Sequence, residues 1–311
     1  MSEQHHPHQQ RQPAPLFAEG GSRFYDQDQD DSFPQGGGRP SRGGKPAGRR
    51  KKSKKSKGTD ILYNIAIGIF ALIFLVCAGL LGKRFLDDRA MESEMADLHA
   101  LISEPSDQGT TGGEGDTVET NAQKFARLVE LNPDFVGWIS IEGTNVDFPV
   151  MQSAVENRDF YLRHNFQGEY DDYGVPYLDA DCVLAGEGAS NNLVIYGHHM
   201  KSGTMFGSLT NYKQASYYEE HPTIEFDTLY GDGTYEVFAA FPIDIVNDPF
   251  PYNTYQNMDE ETFNTFVDEV KRRSSVDSGI TPVYGDQLLT LSTCEYSVGN
   301  GRFVVCARKV D

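Results

Sequence analysis

A run of 22 uncharged, mostly apolar residues at positions 61–82 constrains this 311-residue chain more than any other feature. At about 1.5 Å per residue, a helix over this run would be roughly 33 Å long, which is enough to cross a hydrocarbon core of about 30 Å. A cleaved signal peptide is the alternative, but such peptides begin near residue 1 and have shorter apolar regions. We therefore predict a single transmembrane helix over residues 60–82.

The residues before this helix are basic. Ten Lys and Arg residues and no acidic residue lie between Arg39 and Lys57. Such a run also suits a nucleic-acid arm or a nuclear-localisation signal, but here it directly precedes a membrane span. Basic flanks stay in the cytoplasm, so the sequence predicts a single-pass type II protein of the cell membrane, with everything after Lys83 outside the cell.

Composition divides the chain further. Residues 1–58 are rich in Gln, His, Gly, Pro and basic residues and have few aliphatic ones, which predicts a disordered cytoplasmic tail. Residues 83–117 begin with helical spacing and end in a Gly-, Ser- and Thr-rich stretch, typical of a stalk and linker. Residues 118–311 have the composition of one globular domain.

The distribution of charge along the chain indicates whether nucleic acid is an expected partner. Residues 1–82 carry 12 basic and 7 acidic residues, whereas the remainder carries 15 basic and 39 acidic residues, a net charge of −24. Phosphate binding needs a basic surface. A nucleic-acid partner is therefore not expected.

Short apolar runs with strand-like composition recur through the globular part and predict a mostly antiparallel β domain. One helix interrupts them at about 258–274, where Phe263, Phe266, Val267 and Val270 have helical spacing. Its first turn is acidic and its last turn is basic, as the helix dipole favours. A shorter helix, closed by Pro133, is predicted before the first strands.

Four cysteines are present: Cys77, Cys182, Cys294 and Cys306. Their spacing matches no zinc, redox or disulfide-framework pattern, and three lie outside the apolar segment, so at least one should be a free thiol. A free Cys usually packs as a small hydrophobe, which suits Cys182 and Cys306. Cys294 differs because it ends an apolar strand among polar neighbours.

Two strand-like runs, 288–293 and 302–309, flank a short polar loop and predict a hairpin. Pairing across the loop would bring the Cα atoms of Cys294 and Arg302 to about 4.5–5.5 Å from each other. A guanidinium there could lower the pKa of the thiol or donate hydrogen bonds to an oxyanion. It could not act as a base, since it stays protonated.

A thiol nucleophile needs a proton-accepting partner, most often His. The sequence "LVIYGHHM" places His198 directly after an apolar strand and Gly197. A solvated loop residue is one alternative for His198. A metal site formed with His199 is another alternative, although no third ligand residue lies at a spacing typical of such sites.

"TLSTC", the following Arg302 and "YGHHM" together resemble the signature of class B sortases, the membrane-anchored cysteine transpeptidases of Gram-positive bacteria. "NPDFVGWISIEGTNVDFPVMQ" and "GHHMKSGTMFGSL" extend the resemblance over about 118–311. It implies an eight-stranded sortase β-barrel with N-terminal helices and one inserted helix between two late strands.

By the same resemblance, Cys294 is the nucleophile, His198 the general acid and base, and Arg302 the stabiliser of substrate and oxyanion. Ser292 and Glu295 would line the substrate groove. Thr293 would act through packing and backbone geometry, and His199 is not at the catalytic position. No metal or organic cofactor is expected.

The resemblance further implies that the protein cleaves a C-terminal sorting signal of a secreted protein after Thr and forms a thioacyl-enzyme. An amine of a peptidoglycan precursor, or of a pilin or other surface protein, would then accept the acyl group. NPQTN-like and PxTG-like signals both remain open, as do wall anchoring and pilus polymerisation. A cysteine endopeptidase, or a non-catalytic adhesion or scaffold domain, is the alternative.

Overall fold

The computed structural model describes residues 57–103, 120–200, 202–295 and 300–310. Eight strands form a closed barrel in the order β1-β2-β3-β4-β7-β8-β6-β5. This confirms the predicted eight-stranded barrel. The strands are β1 (Phe135–Ser140), β2 (Asp147–Met151), β3 (Tyr177–Leu178), β4 (Asn192–Tyr196), β5 (Thr223–Thr228), β6 (Thr234–Asp244), β7 (Leu288–Glu295) and β8 (Gly301–Lys309).

The α-helices and 3-10 helices lie before the barrel or in its connections. The α-helices are α1 (Lys57–Ser103), α2 (Asn121–Lys124), α3 (Ala126–Leu131), α4 (Ala215–Glu220) and α5 (Glu260–Arg273). Short 3-10 helices span Val155–Asn157, Phe160–Arg163, Phe206–Lys213 and Tyr252–Thr254. The single helix predicted before the first strand is two short helices, because the backbone at the fully buried Phe125 leaves the helical conformation.

Two strand pairs determine where the ends of the strands meet. β4 runs parallel to β7, with Asn192 opposite Leu288 and Tyr196 opposite Ser292. β7 and β8 are antiparallel neighbours joined by a short connection. β4 is buried along its whole length, as expected for a strand in a parallel pair covered on both faces.

The predicted helix at 258–274 is confirmed as α5, which lies between β6 and β7 in the chain. Its four apolar residues at helical spacing are all buried. The side chain of Asp259 accepts a hydrogen bond from the backbone N–H of Thr262 and caps the helix. The buried face of α5 packs in a second hydrophobic cluster that also contains Leu288, Val304 and Cys306.

Successive residues of a strand face opposite sides of the sheet. Leu289 and Leu291 belong to the main barrel core, whereas Leu288 packs with α5 on the outside. Even-numbered residues of β7 therefore face outward. Cys294 has the same parity as Leu288.

Within the described residues, α1 is the one helix that is long and apolar enough to cross a membrane. Its apolar side chains between Leu62 and Leu81 are exposed. The helix continues into the predicted stalk, where Met91, Met95 and Leu98 are buried in the main core. Residues 1–56 of the predicted disordered tail and the predicted linker after Ser103 lie outside the described residues, whereas residues 57 and 58 of that tail are the first residues of α1.

Candidate active site

The β7–β8 ladder brings Cys294 and Arg302 together. They are direct partners in the register. The backbone N–H of Lys309 donates to the carbonyl of Gln287 at 2.8 Å, so odd-numbered residues of β7 form the hydrogen-bonded pairs. Cys294 and Arg302 are then a non-hydrogen-bonded pair, the type whose side chains lie closer together. Both side chains are partly exposed.

The β4–β7 ladder brings His198 to the same rim. Tyr196 and Ser292 are register partners, and His198 and Cys294 each follow two residues later. The N–H of Gly197 donates to the carbonyl of Ser292 at 3.1 Å, and this bond closes the ladder at the rim. Parallel strands end on one side of a sheet, so the imidazole and the thiol belong to one rim of the barrel.

Gly197 lies at the end of β4, where the chain has no room for a side chain. A Cβ atom here would lie 2.6 Å from two ring carbons of Phe206. Phe206 itself is fully buried, and its N–H donates to the carbonyl of His198 at 2.9 Å. The absence of a side chain at Gly197 therefore lets the buried Phe206 pack against the backbone that carries His198.

The hydrogen bond of His198 defines its tautomer. Nε2 lies 2.7 Å from the carbonyl oxygen of Leu162, and a carbonyl only accepts, so Nε2 carries the proton. Nδ1 is then the ring atom that can take a proton from a thiol. Burial lowers the pKa of His198, and the nearby cations Arg163 and Arg302 lower it further, while the bond to Leu162 opposes them. A neutral, base-competent imidazole near pH 7 is the result.

We predict that the pKa of His198, followed by NMR in the Cys294→Ala variant, lies below the ordinary 6.5. Arg163→Gln should raise it, because one repelling cation is removed. The folded state binds this proton more weakly than the unfolded chain. Stability contributed by neutral His198 is therefore present above pH 6.5 and declines as the pH falls through the lowered pKa. A pKa above 6.5, or no response to Arg163→Gln, would contradict this electrostatic account.

His199 contacts the backbone of Cys294, although the sequence analysis assigns it no part in the chemistry. Its Nδ1 donates a hydrogen bond to the backbone carbonyl of Cys294 at 2.8 Å. His199 also forms an isolated β-bridge with Met205, whose φ of +55° is unusual for a residue with a side chain. Within the described residues, no group of three or more His, Cys, Asp or Glu could hold a metal ion.

The four cysteines are all free thiols, and they differ in solvent exposure. Burial raises the pKa of Cys182 to about 12 and that of Cys306 to about 12. These two are inert core residues, as the sequence predicts, because the thiolate is the reactive form. Cys77 is exposed on α1, and Cys294 is partly exposed at the end of β7. Cys294 is thus the accessible thiol at the barrel rim.

The predicted groove residues lie directly before and after Cys294. Ser292 is 2% exposed, and its hydroxyl lies 2.7 Å from the hydroxyl of Tyr252. Thr293 is also 2% exposed and has the parity of the barrel interior. Glu295 is the last residue of β7 and pairs with Gly301. The structure thus places Ser292 and Thr293 beneath the rim.

Tyr252 is a site residue that the sequence analysis missed. It is buried, and burial raises its pKa, while Arg302 and Cys294 lie close enough to affect its ionisation. It arrives from the connection between β6 and β7, 40 residues away from Ser292 in the chain. No local pattern in the sequence indicates that contact.

Comparison with known proteins agrees with this geometry. The sortase-domain family model matches residues 139–310, more than half of the chain. Sortase B of Staphylococcus aureus (strain NCTC 8325 / PS 47) is 36% identical over 187 residues, which cover 60% of this chain and 74% of that protein.

Solved structures are similar as well. The Staphylococcus aureus sortase B–substrate complex matches with a TM-score of 0.60 and 31% identity, over 72% of this chain and 96% of that one. A sortase B complexed with triglycine matches with a TM-score of 0.60 and 30% identity, over 72% and 97%. Together with the closed eight-stranded barrel, these matches establish that the chain belongs to the sortase family of cysteine transpeptidases and, within it, to class B.

Proposed function

We propose that Cys294 is the nucleophile that attacks the carbonyl carbon of a Thr in the sorting signal of a secreted protein. His198 takes the thiol proton at Nδ1. The thiolate adds to the carbonyl, the C–N bond after Thr breaks, and the leaving amine receives a proton from His198. A thioester between Cys294 and the substrate remains.

The second half-reaction reverses these transfers. An acceptor amine attacks the thioester carbon, its proton passes to His198, and the thiolate of Cys294 leaves as the new amide forms. Arg302 donates hydrogen bonds to the oxyanion of both tetrahedral intermediates, because a donor already fixed in place stabilises the charge that develops there. The observation that carries this proposal is the cross-strand pair of Cys294 and Arg302 at the rim that His198 also reaches.

Two solved relatives support the proposed substrate classes. One is a sortase B–substrate complex, and another is a sortase B complexed with triglycine. A peptide with a free amino terminus has the chemistry of an amine acceptor. We therefore propose that the acyl group passes to an amine of a peptidoglycan precursor or of a pilin. If water resolved the thioester instead, the protein would act as an endopeptidase.

The proposed substrate-binding residues act in different ways. Ser292, buried and bonded to Tyr252, would shape the floor of the groove. Thr293 would hold β7 in place from within the barrel. Glu295, which follows Cys294 in the sequence, would line the groove, as the family resemblance implies.

The proposed location follows from α1. We propose that residues 60–82 anchor the chain in the cell membrane as a single-pass type II protein, with the domain 118–311 outside the cell. The long, exposed, apolar part of α1 supports this orientation together with the basic run before it. The residues from 83 to 117 would connect the two parts.

One experiment tests the proposed activity. The full-length chain in detergent is incubated with a library of Thr-containing peptides, with and without a triglycine acceptor, and the products are identified by mass spectrometry. We expect cleavage after Thr, and a new amide product when triglycine is present. Cleavage with water alone in both conditions would favour the endopeptidase. If no peptide were cleaved, the result would favour a non-catalytic adhesion or scaffold domain.

A further inference from the structure

We propose that His199 is a positioning residue that extends the β4–β7 ladder by one rung and thereby fixes the backbone of Cys294. The inference rests on the proposed role of Cys294 as nucleophile. It concerns how that nucleophile is held, and His199 itself transfers no proton.

The first argument is the direction of the Cys294 carbonyl. In a strand, the N–H and C=O groups of every second residue point to the same neighbour. The N–H of Leu288 donates to the carbonyl of Asn191 at 2.8 Å, and the carbonyl of Ser292 accepts from Gly197 at 3.1 Å. Even-numbered residues of β7 therefore bond toward β4. The carbonyl of Cys294 points the same way.

β4 ends at Tyr196, two residues before the position that would face Cys294 in a longer strand. The chain turns away there so that His198 can reach Leu162. Without His199, the carbonyl of Cys294 would lack the hydrogen bond that a longer β4 would donate, and the Cys294–Glu295 peptide group would be held on the β8 side alone. The Nδ1–H of His199, 2.8 Å from the oxygen, occupies the place of the next backbone rung.

The second argument is that the imidazole of His199 is itself held. His199 pairs with Met205 across the turn, and Met205 is 1% exposed despite its positive φ. A Cβ atom at Gly207 would lie 3.4 Å from Cδ2 of His199 and 3.1 Å from the carbonyl of Met200. Backbone and ring therefore pack closely at this turn, and the donor atom has a defined position.

The chemistry of the ring distinguishes positioning from proton transfer. Nδ1 donates to a carbonyl, so it keeps its hydrogen in both the neutral and the protonated imidazole. Replacing His199 by a residue without this donor should therefore reduce the rate by the same factor at every pH and keep both limbs of the pH profile.

The test uses two replacements of similar size in the full-length chain in detergent. Asn carries an amide nitrogen at the position of Nδ1, whereas Leu has a similar shape and no donor. We expect His199→Leu to lower kcat about tenfold, as for loss of one positioning hydrogen bond, with a small change in KM and an unshifted pH profile. His199→Asn should retain most of kcat. His221→Ala is the control, since its Nδ1 also contacts a carbonyl, that of Glu142, away from the rim.

Equal kcat for His199→Leu and His199→Asn would overturn the inference, and so would loss of one pH limb in both variants. Melting temperatures show whether each variant folds. Should His199→Leu fail to fold, the comparison of His199→Asn with His199→Ala decides in the same way. Failure of the proposed function would appear separately, as full activity of Cys294→Ala whatever residue occupies position 199.

Discussion

Replacing Cys294 by alanine is expected to abolish the covalent intermediate and to lower peptide turnover by about 10⁶-fold, the scale seen when a catalytic nucleophile is removed. In the proposed mechanism, the side chain at this position supplies the atom that bonds to the acyl group. The other thiols of the domain cannot replace it, because Cys182 and Cys306 are buried with pKa values of about 12.

The measurement is intact-protein mass after mixing with a sorting-signal peptide. The unmodified chain should gain the mass of the acyl fragment, and Cys294→Ala should gain nothing. Cys77→Ala is the matched control, because it removes an exposed thiol on α1. Adduct formation in Cys294→Ala would show that another residue is the nucleophile.

Arg302→Lys is expected to lose most of the activity although the charge is kept. Oxyanion donors are worth about 10²–10³ in kcat, and an ammonium lacks the planar fork of the guanidinium. The guanidinium here is oriented by a hydrogen bond from Nη1 to the carbonyl of Gly301 at 2.9 Å. A lysine in its place could donate to that carbonyl or to the oxyanion, but its ammonium group lacks the planar arrangement of donors that orients the guanidinium.

Arg308→Lys provides the control on the same strand. Arg308 pairs with Glu236 at 3.0 Å, at the other end of β8. Its replacement should leave kcat and KM within about twofold, because this partly exposed ion pair lies away from the rim and Lys keeps its charge. Single-turnover acylation rates for both variants separate chemistry from binding. An Arg302→Lys enzyme with normal acylation would remove Arg302 from the proposed mechanism.

Features set by local pattern could be predicted from the sequence. Two strand-like runs flanking a short polar loop predict that Cys294 lies opposite Arg302, and the structure has that register. Helical spacing predicts α5 at 258–274, and the helix spans Glu260–Arg273. Both elements depend on the spacing and type of residues that are close in the sequence, so they can be predicted from the sequence alone.

Features made by contacts between distant segments could not be predicted in this way. β3 has only two residues, too few for any periodicity. The carbonyl that accepts the Nε2 proton of His198 belongs to Leu162, 36 residues earlier in the chain, and His199 reaches the carbonyl of Cys294 from 95 residues away. Such contacts depend on the closed barrel, which joins strands that are far apart in the sequence.

The outward parity of Cys294 has a consequence for the size of molecules that the protein can process. A residue that faced the interior would admit only what fits among packed side chains. On the outer wall, at the end of β7, the partly exposed sulfur of the proposed thioester would hold a polypeptide that stays outside the barrel. The proposed joining of two large polymers would then need no opening of the barrel.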